Sequence, residues 1–517
     1  MANIINFFNS LVNKKTGNVS KIDNSIQASV PIYSINFNGE KNLGEIGAIK
    51  YYGIDHDALA LRSWQAFLES EIVQLTLGRY ITWTIGSGLK LQADPEKLML
   101  SNIDEKKLKN FSNLIEAKWR LWAKSKKVDH QGQMNLTQVL REVKKNVAMQ
   151  GDTLVILRVI KKRVTVQVFD SYYLQTPIGK VEGKGDGNEI INGIEFNTRG
   201  EHVAYWVRVD SSMNFKRIKA KSKKGLTMAY MVYGKKYRSN CKRGIPLFFA
   251  VLESLNQLQR YKDATISSAE EQAKIALQAI HDKEATGENP LQKILAKATA
   301  DNSLEEDISI DSNGKPLSDQ VAATHIKQFI NNPPGTKLEA IQSNKDKLYF
   351  KEFFGTGFDV FCASIGIPPE VALSKYDSNF SASRAALKDW EHTINVDRND
   401  TVTDVLQPIY DLWLHISILT DQVTIPGYLE ALNNKDEEKL SAYRNCRFIG
   451  NTVPHIDPLK EVNAERAKLG DLAKSIPLTT VEKATEALNG GEADSNMLQY
   501  SEELKRFGQL DNTSASD

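Results

Sequence analysis

Eight histidines, His56, His130, His202, His281, His325, His392, His415 and His455, are the first candidates for metal or acid–base chemistry. None belongs to a His-Glu-x-x-His pair or a comparable ligand spacing, so they read as isolated surface or core residues. Ser87 sits in Gly86-Ser87-Gly88, which lacks the Gly-x-Ser-x-Gly elbow that exposes a nucleophilic serine on a strained turn. No Gly-x-x-x-x-Gly-Lys-Ser/Thr run is present to cradle the phosphates of a nucleoside triphosphate. The glycine-rich GKVEGKGDGNEIING does not lead from a strand into a helix, as a dinucleotide site must, and reads as a connection. Glu370 and Asp377 share one loop region, where solvation accounts for two carboxylates. The expectation is no catalytic residue, no metal and no cofactor.

Cations offer a different kind of chemistry. The stretch from Ser211 to Gly244 contains KRIKAKSKK and GKKYRSNCKRG without one Asp or Glu. It reads either as a solvated, strand-containing loop or as a face meeting nucleic acid or an acidic partner. The whole chain carries a formal net charge of only +2, which argues against gripping nucleic acid by bulk phosphate neutralisation. Cys241, Cys362 and Cys446 are too far apart, and odd in number, for a disulfide framework or a zinc motif.

These residues need a scaffold, and 517 residues exceed what one hydrophobic core usually organises. With 41% hydrophobic and 25% charged residues the composition is that of globular domains. The start, MANIINFFNSLVNKK, lacks a signal peptide's charge order, and no run approaches the roughly 18 apolar residues of a membrane span. Ile4, Ile5, Phe7, Phe8, Leu11 and Val12 fit one face of a short amphipathic helix in a peripheral arm.

Helical spacing of Leu59, Leu61, Trp64, Phe67, Leu68, Ile72, Leu75 and Leu77 predicts one helix from Asp57 to Thr84, stopped by Gly86-Ser87-Gly88. A strand in LKLQADP and helices over Phe111 to Ala123 and Leu136 to Met149 follow. TLVILRVIKKRVTVQVFD reads as a hairpin turning at Lys161-Lys162, and Thr198-Arg199-Gly200-Glu201 as a second turn. From Ile245 a stripe of Val251, Leu255, Leu258, Tyr261, Ile266, Ala269, Ala273, Leu277 and Ile280 predicts a helix of roughly 35 residues, about 50 Å long. A polar region over Glu284 to Lys347 precedes a helix from Tyr349 to Ile365, ended by Gly366 and Pro368-Pro369. A small domain is thus inserted between two antiparallel helices. After a loop through Phe380, a helix from Ser381 is kinked at Pro408.

Six segments in order resemble lambda-like tailed-phage portal proteins. They are DALALRSWQAFLESEIVQLTLGRYITWTIGSGLKLQADP, KWRLWAKSKKVDHQGQMNLTQVLREVKKNVAMQGDTLVIL, GIEFNTRGEHVAYWV, RGIPLFFAVLESLNQLQRYKDATISSAEEQA, the block from Ile367-Pro368-Pro369-Glu370 to Ser383-Arg384-Ala385, and IDPLKEVNAERAKLGDL. FSASRAA departs from the Asn-Tyr-Ser-Ser-x-Arg type common there, and the basic stretch has no counterpart. The resemblance implies an α+β, predominantly α fold: wing over 1–244, first stem helix over 245–283, clip over 284–348 and second stem helix over 349–365. A tunnel loop over 366–380, a kinked helix of wing and crown over 381–440, and crown with tail over 441–517 complete it.

By the same resemblance the chain is a dodecameric ring at one capsid vertex of the virion, assembled in the host cytoplasm, with no membrane partner. Double-stranded DNA passes through it, driven by a terminase large subunit, and the major capsid protein and a neck or head-completion adaptor are further partners. Tunnel-loop residues Ser374, Lys375, Tyr376, Asp377, Ser378, Asn379 and Phe380, with Arg384 beyond, and clip residues Lys327, Lys337 and Lys345 are the expected DNA and docking contacts. A belt of charge repeated around a ring would trap DNA if it bound tightly, so a sliding conduit needs sparse charge. The alternatives are a DNA-processing enzyme using the basic stretch, or a head adaptor without a channel.

Overall fold

The computed structural model describes residues 34–35, 41–42, 56–101, 103–177, 188–209, 214–236, 241–279, 321–324, 327–331, 346–375, 380–452, 458–470, 477–489, 491 and 493–514. The arm helix expected at Ile4 to Val12 lies outside them. Two units divide the chain: Met1–Glu253 with Phe361–Asp517, and Ser254–Val360. In order, the larger unit opens with β1 (Ser34–Ile35), β2 (Lys41–Asn42), α1 (His56–Glu69), α2 (Glu71–Thr84), β3 (Lys90–Ala93), α3 (Glu105–Lys124) and α4 (Leu136–Gln150). It continues through β4 (Asp152–Ile160), β5 (Arg163–Asp170), β6 (Glu189–Ile191), β7 (Ile194–Phe196), β8 (His202–Arg208), β9 (Phe215–Lys219) and β10 (Ala229–Tyr233). Next come α5 (Leu252–Lys274), β11 (Ile275–Ala279), β12 (Val321–Thr324), β13 (Lys327–Asn331) and α6 (Asp346–Ile365). The chain ends with α7 (Pro369–Leu373), α8 (Phe380–Thr401), α9 (Gln407–Leu419), α10 (Tyr428–Asn434), α11 (Glu437–Arg444), β14 (Cys446–Ile449), α12 (Pro458–Leu469), α13 (Val481–Asn489) and α14 (Ala493–Ser514). The fold is α+β and predominantly α, as the resemblance implies.

A three-stranded sheet, ordered β10-β4-β5, lies at the centre of the larger unit. Its strand β4 is apolar on both faces, Leu154-Val155-Ile156-Leu157, because both faces are covered. Val155 and Leu157 join Val164, Val166 and Val232 against α3, α4 and α9, where Trp119 packs its ring 5.2 Å from Trp413 and 5.6 Å from Tyr410. Leu154 and Ile156 point the other way, with Ala229 and Met231, onto Ile194, Phe196, Tyr205 and Val207 of the second sheet, ordered β6-β7-β8-β9. Strand β14 returns to pair antiparallel with β3, Phe448 opposite Leu91.

Three expectations need correction. Helical spacing over 57–84 conceals two helices: Ser70 is extended (φ −113°, ψ 118°), and Gln74 Nε2 donates to the carbonyl of Phe67 at 2.8 Å across the break. The helix expected over 245–283 spans only Leu252–Lys274. At its start Ile245 bridges Lys235 as extended chain, and at its end Ile275–Ala279 pairs in parallel with β13. Long-range backbone pairing overrides a periodicity that would otherwise continue the helix. At Pro408 the helix is not simply kinked. The chain passes from α8 to α9 through a π turn over Val402–Leu406, in which Gln407 N–H reaches the Val402 carbonyl.

In the smaller unit α5 and α6 run antiparallel. Tyr261 stacks on Phe350 at 5.8 Å and touches Phe353 at 4.5 Å, while three residues back Leu258 meets Gly357. A Cβ on Gly357 would lie 2.5 Å from a Leu258 methyl, so any larger residue there would force the Leu258 side chain to move. Strands β11, β13 and β12 form the sheet that follows α5.

Two predictions arise. The β4–β5 hairpin turns through Lys161 (φ 48°) and Lys162 (φ 62°), both in the left-handed region that Asn-Gly occupies with less strain. Lys161→Asn with Lys162→Gly should therefore stabilise the fold by about 1 kcal/mol, read as a rise in thermal midpoint. The second sheet should loosen in acid. Burial, with Lys236 and Lys242 nearby, lowers His202 from 6.5 to about 4, so stability present above pH 6.5 is lost as pH falls toward 4. Arg217 beside Glu195 lowers that carboxyl from 4.5 to about 2, so its contribution disappears only between those values. In a tryptophan-emission pH titration, His202→Gln should shrink the first step, with His415, also lowered by its burial, supplying the remainder, and leave the second.

Candidate channel segment

The segment expected to meet DNA is held by two helix ends and one platform. Helix α6 stops in a Schellman motif: Gly366 adopts φ 80°, Ile367 N–H reaches the Cys362 carbonyl at 3.0 Å and Gly366 N–H the Ala363 carbonyl at 3.1 Å. Pro368 then caps, and Pro369 begins, the short helix α7 with its fixed φ. Residues 369–373, expected as loop, are thus helical, with Val371 and Ala372 buried. The same cap recurs at the far end. Ser374 is left-handed (φ 55°), and Lys375 N–H reaches the Glu370 carbonyl at 2.9 Å.

Helix α2 is the platform. Its Arg79 Nη2 donates to Ser374 Oγ at 2.5 Å. One residue on, the Tyr80 hydroxyl donates to Asp397 Oδ1 of α8 at 3.0 Å, and Lys144 Nζ reaches the same oxygen at 2.7 Å. Burial first, and Asp397 second, raise the Tyr80 hydroxyl well above its ordinary value, so it stays a donor. At the end of α2, Trp83 meets Trp390 edge-on at 4.8 Å. Arg398 donates to the carbonyls of Trp83 (2.8 Å) and Thr84 (3.1 Å), placing a cation on an open helix C-terminus. Both α7 and α8, which flank residues 376–379, are therefore fastened to one helix.

Of the expected contacts, the structure places Ser374 and Lys375 together on the exposed end of α7. Phe380 opens α8, Arg384 lies in its second turn, and Lys327 opens β13. Tyr376, Asp377, Ser378, Asn379, Lys337 and Lys345 lie outside the described residues. Arg79 and Asp397 were missed, because their partners lie 295 and 317 positions away and no local pattern marks them. Among the described residues no group of three His, Cys, Asp or Glu could hold a metal. Cys241, Cys362 and Cys446 form no disulfide with one another.

A family model described as "Phage portal protein, lambda family" matches residues 50–398. No curated protein matches. Among solved structures, a chain of the virion of a native gene transfer agent particle is 12% identical, covering 84% of this chain and 93% of that one, with a TM-score of 0.41. A chain from the neck of the native gene transfer agent particle is 11% identical, covering 80% and 98%, with a TM-score of 0.35. An HK97 family phage portal protein from Corynebacterium diphtheriae is 11% identical, covering 66% and 86%, with a TM-score of 0.24.

If Arg79 fixes the end of α7, Arg79→Ala should expose the bond after Lys375 to trypsin. Loss of one charged, solvent-accessible hydrogen bond is worth about 1 kcal/mol, or roughly fivefold in opening equilibrium. Cleavage at Lys375–Tyr376, timed by mass spectrometry, should accelerate by about that factor, and an unchanged rate would remove Arg79 from this role.

Proposed function

The chain belongs to the lambda family of phage portal proteins, and from that premise we propose that its copies close into a ring whose axial passage conducts double-stranded DNA into and out of a capsid. The observation that carries this reading is the common platform on α2, which fastens the helices before and after residues 376–379. A short segment gripped on both sides can project toward an axis at a fixed height in every subunit. Lys375, Arg384 and the residues between them then present one sparse belt of charge, enough to guide a duplex without holding it.

In this reading α5 and α6 are the stem. Ile266, Phe353 and Val360 are large apolar residues exposed on them in the single chain, and neighbouring copies would cover them. The polar region between these helices, with Lys327, Lys337 and Lys345, serves as the docking face for a terminase large subunit and later for a neck adaptor. The larger unit meets the major capsid protein. ATP is hydrolysed by the separate motor, and this chain's part is mechanical. Twelve copies at one vertex of the virion, assembled in the host cytoplasm, is the arrangement the family resemblance carries.

Electron micrographs of the purified protein should show closed rings with an axial opening, and the same sample should turn over no ATP. Solid or purely monomeric particles at high concentration would overturn the reading.

A further inference from the structure

The basic stretch noted in the sequence resolves into two kinds of cation. Arg217 is neutralised by Glu195 at 2.7 Å and Arg243 by the buried Asp152 at 2.8 Å. Lys221, Lys223 and Lys224 are not. They stand exposed on a tight turn between β9 and β10, closed by Gly225 N–H on the Ser222 carbonyl and Leu226 N–H on Ser222 Oγ.

Sheet register carries that turn to other cations. Ala229 pairs with Ile156, and Leu157 N–H bonds the Met228 carbonyl, so β10 read backwards and β4 read forwards approach the same edge. Three residues beyond Met228 lies Gly225, and three beyond Leu157 lies Ile160, which brings Lys161, Lys162 and Arg163 alongside. On the other side of β5, Asp129 bridges Val166 in parallel and Trp122 Nε1 donates to the Val164 carbonyl at 3.2 Å. That register aligns Lys126 and Lys127 with the start of β5.

Three segments distant in sequence thus deliver Lys126, Lys127, Lys161, Lys162, Arg163, Lys221, Lys223 and Lys224 to one end of the central sheet. No Asp or Glu occurs between Glu116 and Asp129, between Asp152 and Asp170, or between Asp210 and Glu253. Asp129 is turned inward, accepting from the backbone of Gln133 and Met134. Among the described residues no ion pair joins any of the eight to a carboxylate. At Lys161 and Lys162 charge is kept where the backbone favours Asn-Gly.

We propose that this lysine-rich sheet end is a site for the phosphate backbone of duplex nucleic acid, outside the channel segments and indifferent to base sequence. Lysine is depleted at the cores of protein interfaces, so a patch built of lysines is a poor surface for a folded protein partner to bury. No Asn, Gln or aromatic side chain interrupts the cations in the two turns to read base edges. Four adjacent backbone segments span roughly 15 Å. A duplex carries on the order of nine charges over about that length, half of them facing the patch.

The test uses the assembled full-length protein and a covalently closed circular duplex of arbitrary sequence, which cannot thread a ring. Binding should weaken with salt at a log–log slope of about −4, as for four or five neutralised phosphates. Lys161→Glu, Lys162→Glu, Lys223→Glu and Lys224→Glu together should cost at least about tenfold in affinity and flatten that slope. Lys161→Asn with Lys162→Gly, expected to leave a sounder fold, should also weaken binding and reduce the slope by about two. Lys107→Glu, elsewhere on the larger unit, should change neither. An unaltered affinity in both patch variants would overturn the proposal, as would equal loss in Lys107→Glu. So would displacement of the circle by polyglutamate at matched charge, which would mark a surface for acidic protein instead.

Discussion

One buried ion pair sets the geometry through which the rest of the larger unit is connected. Asp152, fully buried at the start of β4, accepts from Arg243 Nε at 2.8 Å, Arg243 Nη2 at 3.0 Å and the backbone N–H of Gly244 at 2.9 Å. Two glycines let the chains approach that closely. Gly151 caps α4 at φ 89°, and a Cβ on Gly244 would lie 1.9 Å from the Gly151 carbonyl oxygen. Breaking such a pair by removing one partner costs on the order of 3–5 kcal/mol, because the survivor is a charge without solvent. Its value here is positional. It locks the strand that centres the core to the residues that lead, through Pro246 and buried Phe248, into α5. Phe248 in turn stacks on Phe361 at 6.1 Å, where the chain returns.

A second constraint governs the return path. Pro408 has no N–H for the Asp404 carbonyl, and the helix answers by widening into a π turn rather than by breaking. The Tyr230 hydroxyl donates to the Val405 carbonyl at 3.0 Å, tying that turn to the central sheet. With α9 held there, α8 is fixed at its C-terminal end by the sheet and along its length by α2. The platform that fastens the end of α7 and the length of α8 is therefore not a local arrangement. It inherits its position from the same sheet that Asp152 begins.

What the sequence disclosed and what it withheld follow from this. Lys161-Lys162 as a hairpin turn, Gly151 and Gly366 as helix ends, and Pro368-Pro369 as a block were legible because each acts through its own backbone dihedrals. The break at Ser70 and the end of α5 at Lys274 were not. Both interrupt a stripe of apolar residues that by itself favours continuing, and the deciding hydrogen bonds come from Gln74 in one case and strand β13 in the other. The pairing of β14 with β3 joins residues more than three hundred positions apart. For the candidate site, the family resemblance pointed to a stretch of chain, while Arg79, Tyr80 and Arg398, which fasten the helices on either side of it, carry no signature of their own.

Net charge does not record where on the chain the cations lie. A formal +2 over the whole chain sets 66 cationic side chains against 64 anionic ones, without separating cations paired at contact distance, such as Arg217 and Arg243, from lysines left in water. Arg243 and Arg217 complete the fold and contribute nothing to an external field, since their partners cancel them at contact distance. Among the described residues the lysines at the sheet end have no such partners, and their field extends about a Debye length, roughly 8–10 Å at ordinary salt. The proposed passage, through which DNA would slide, and the proposed surface that would hold it can therefore coexist on one nearly neutral chain. The condition is that the cations of the two regions lie farther apart than that length, and that only the surface gathers them at high density.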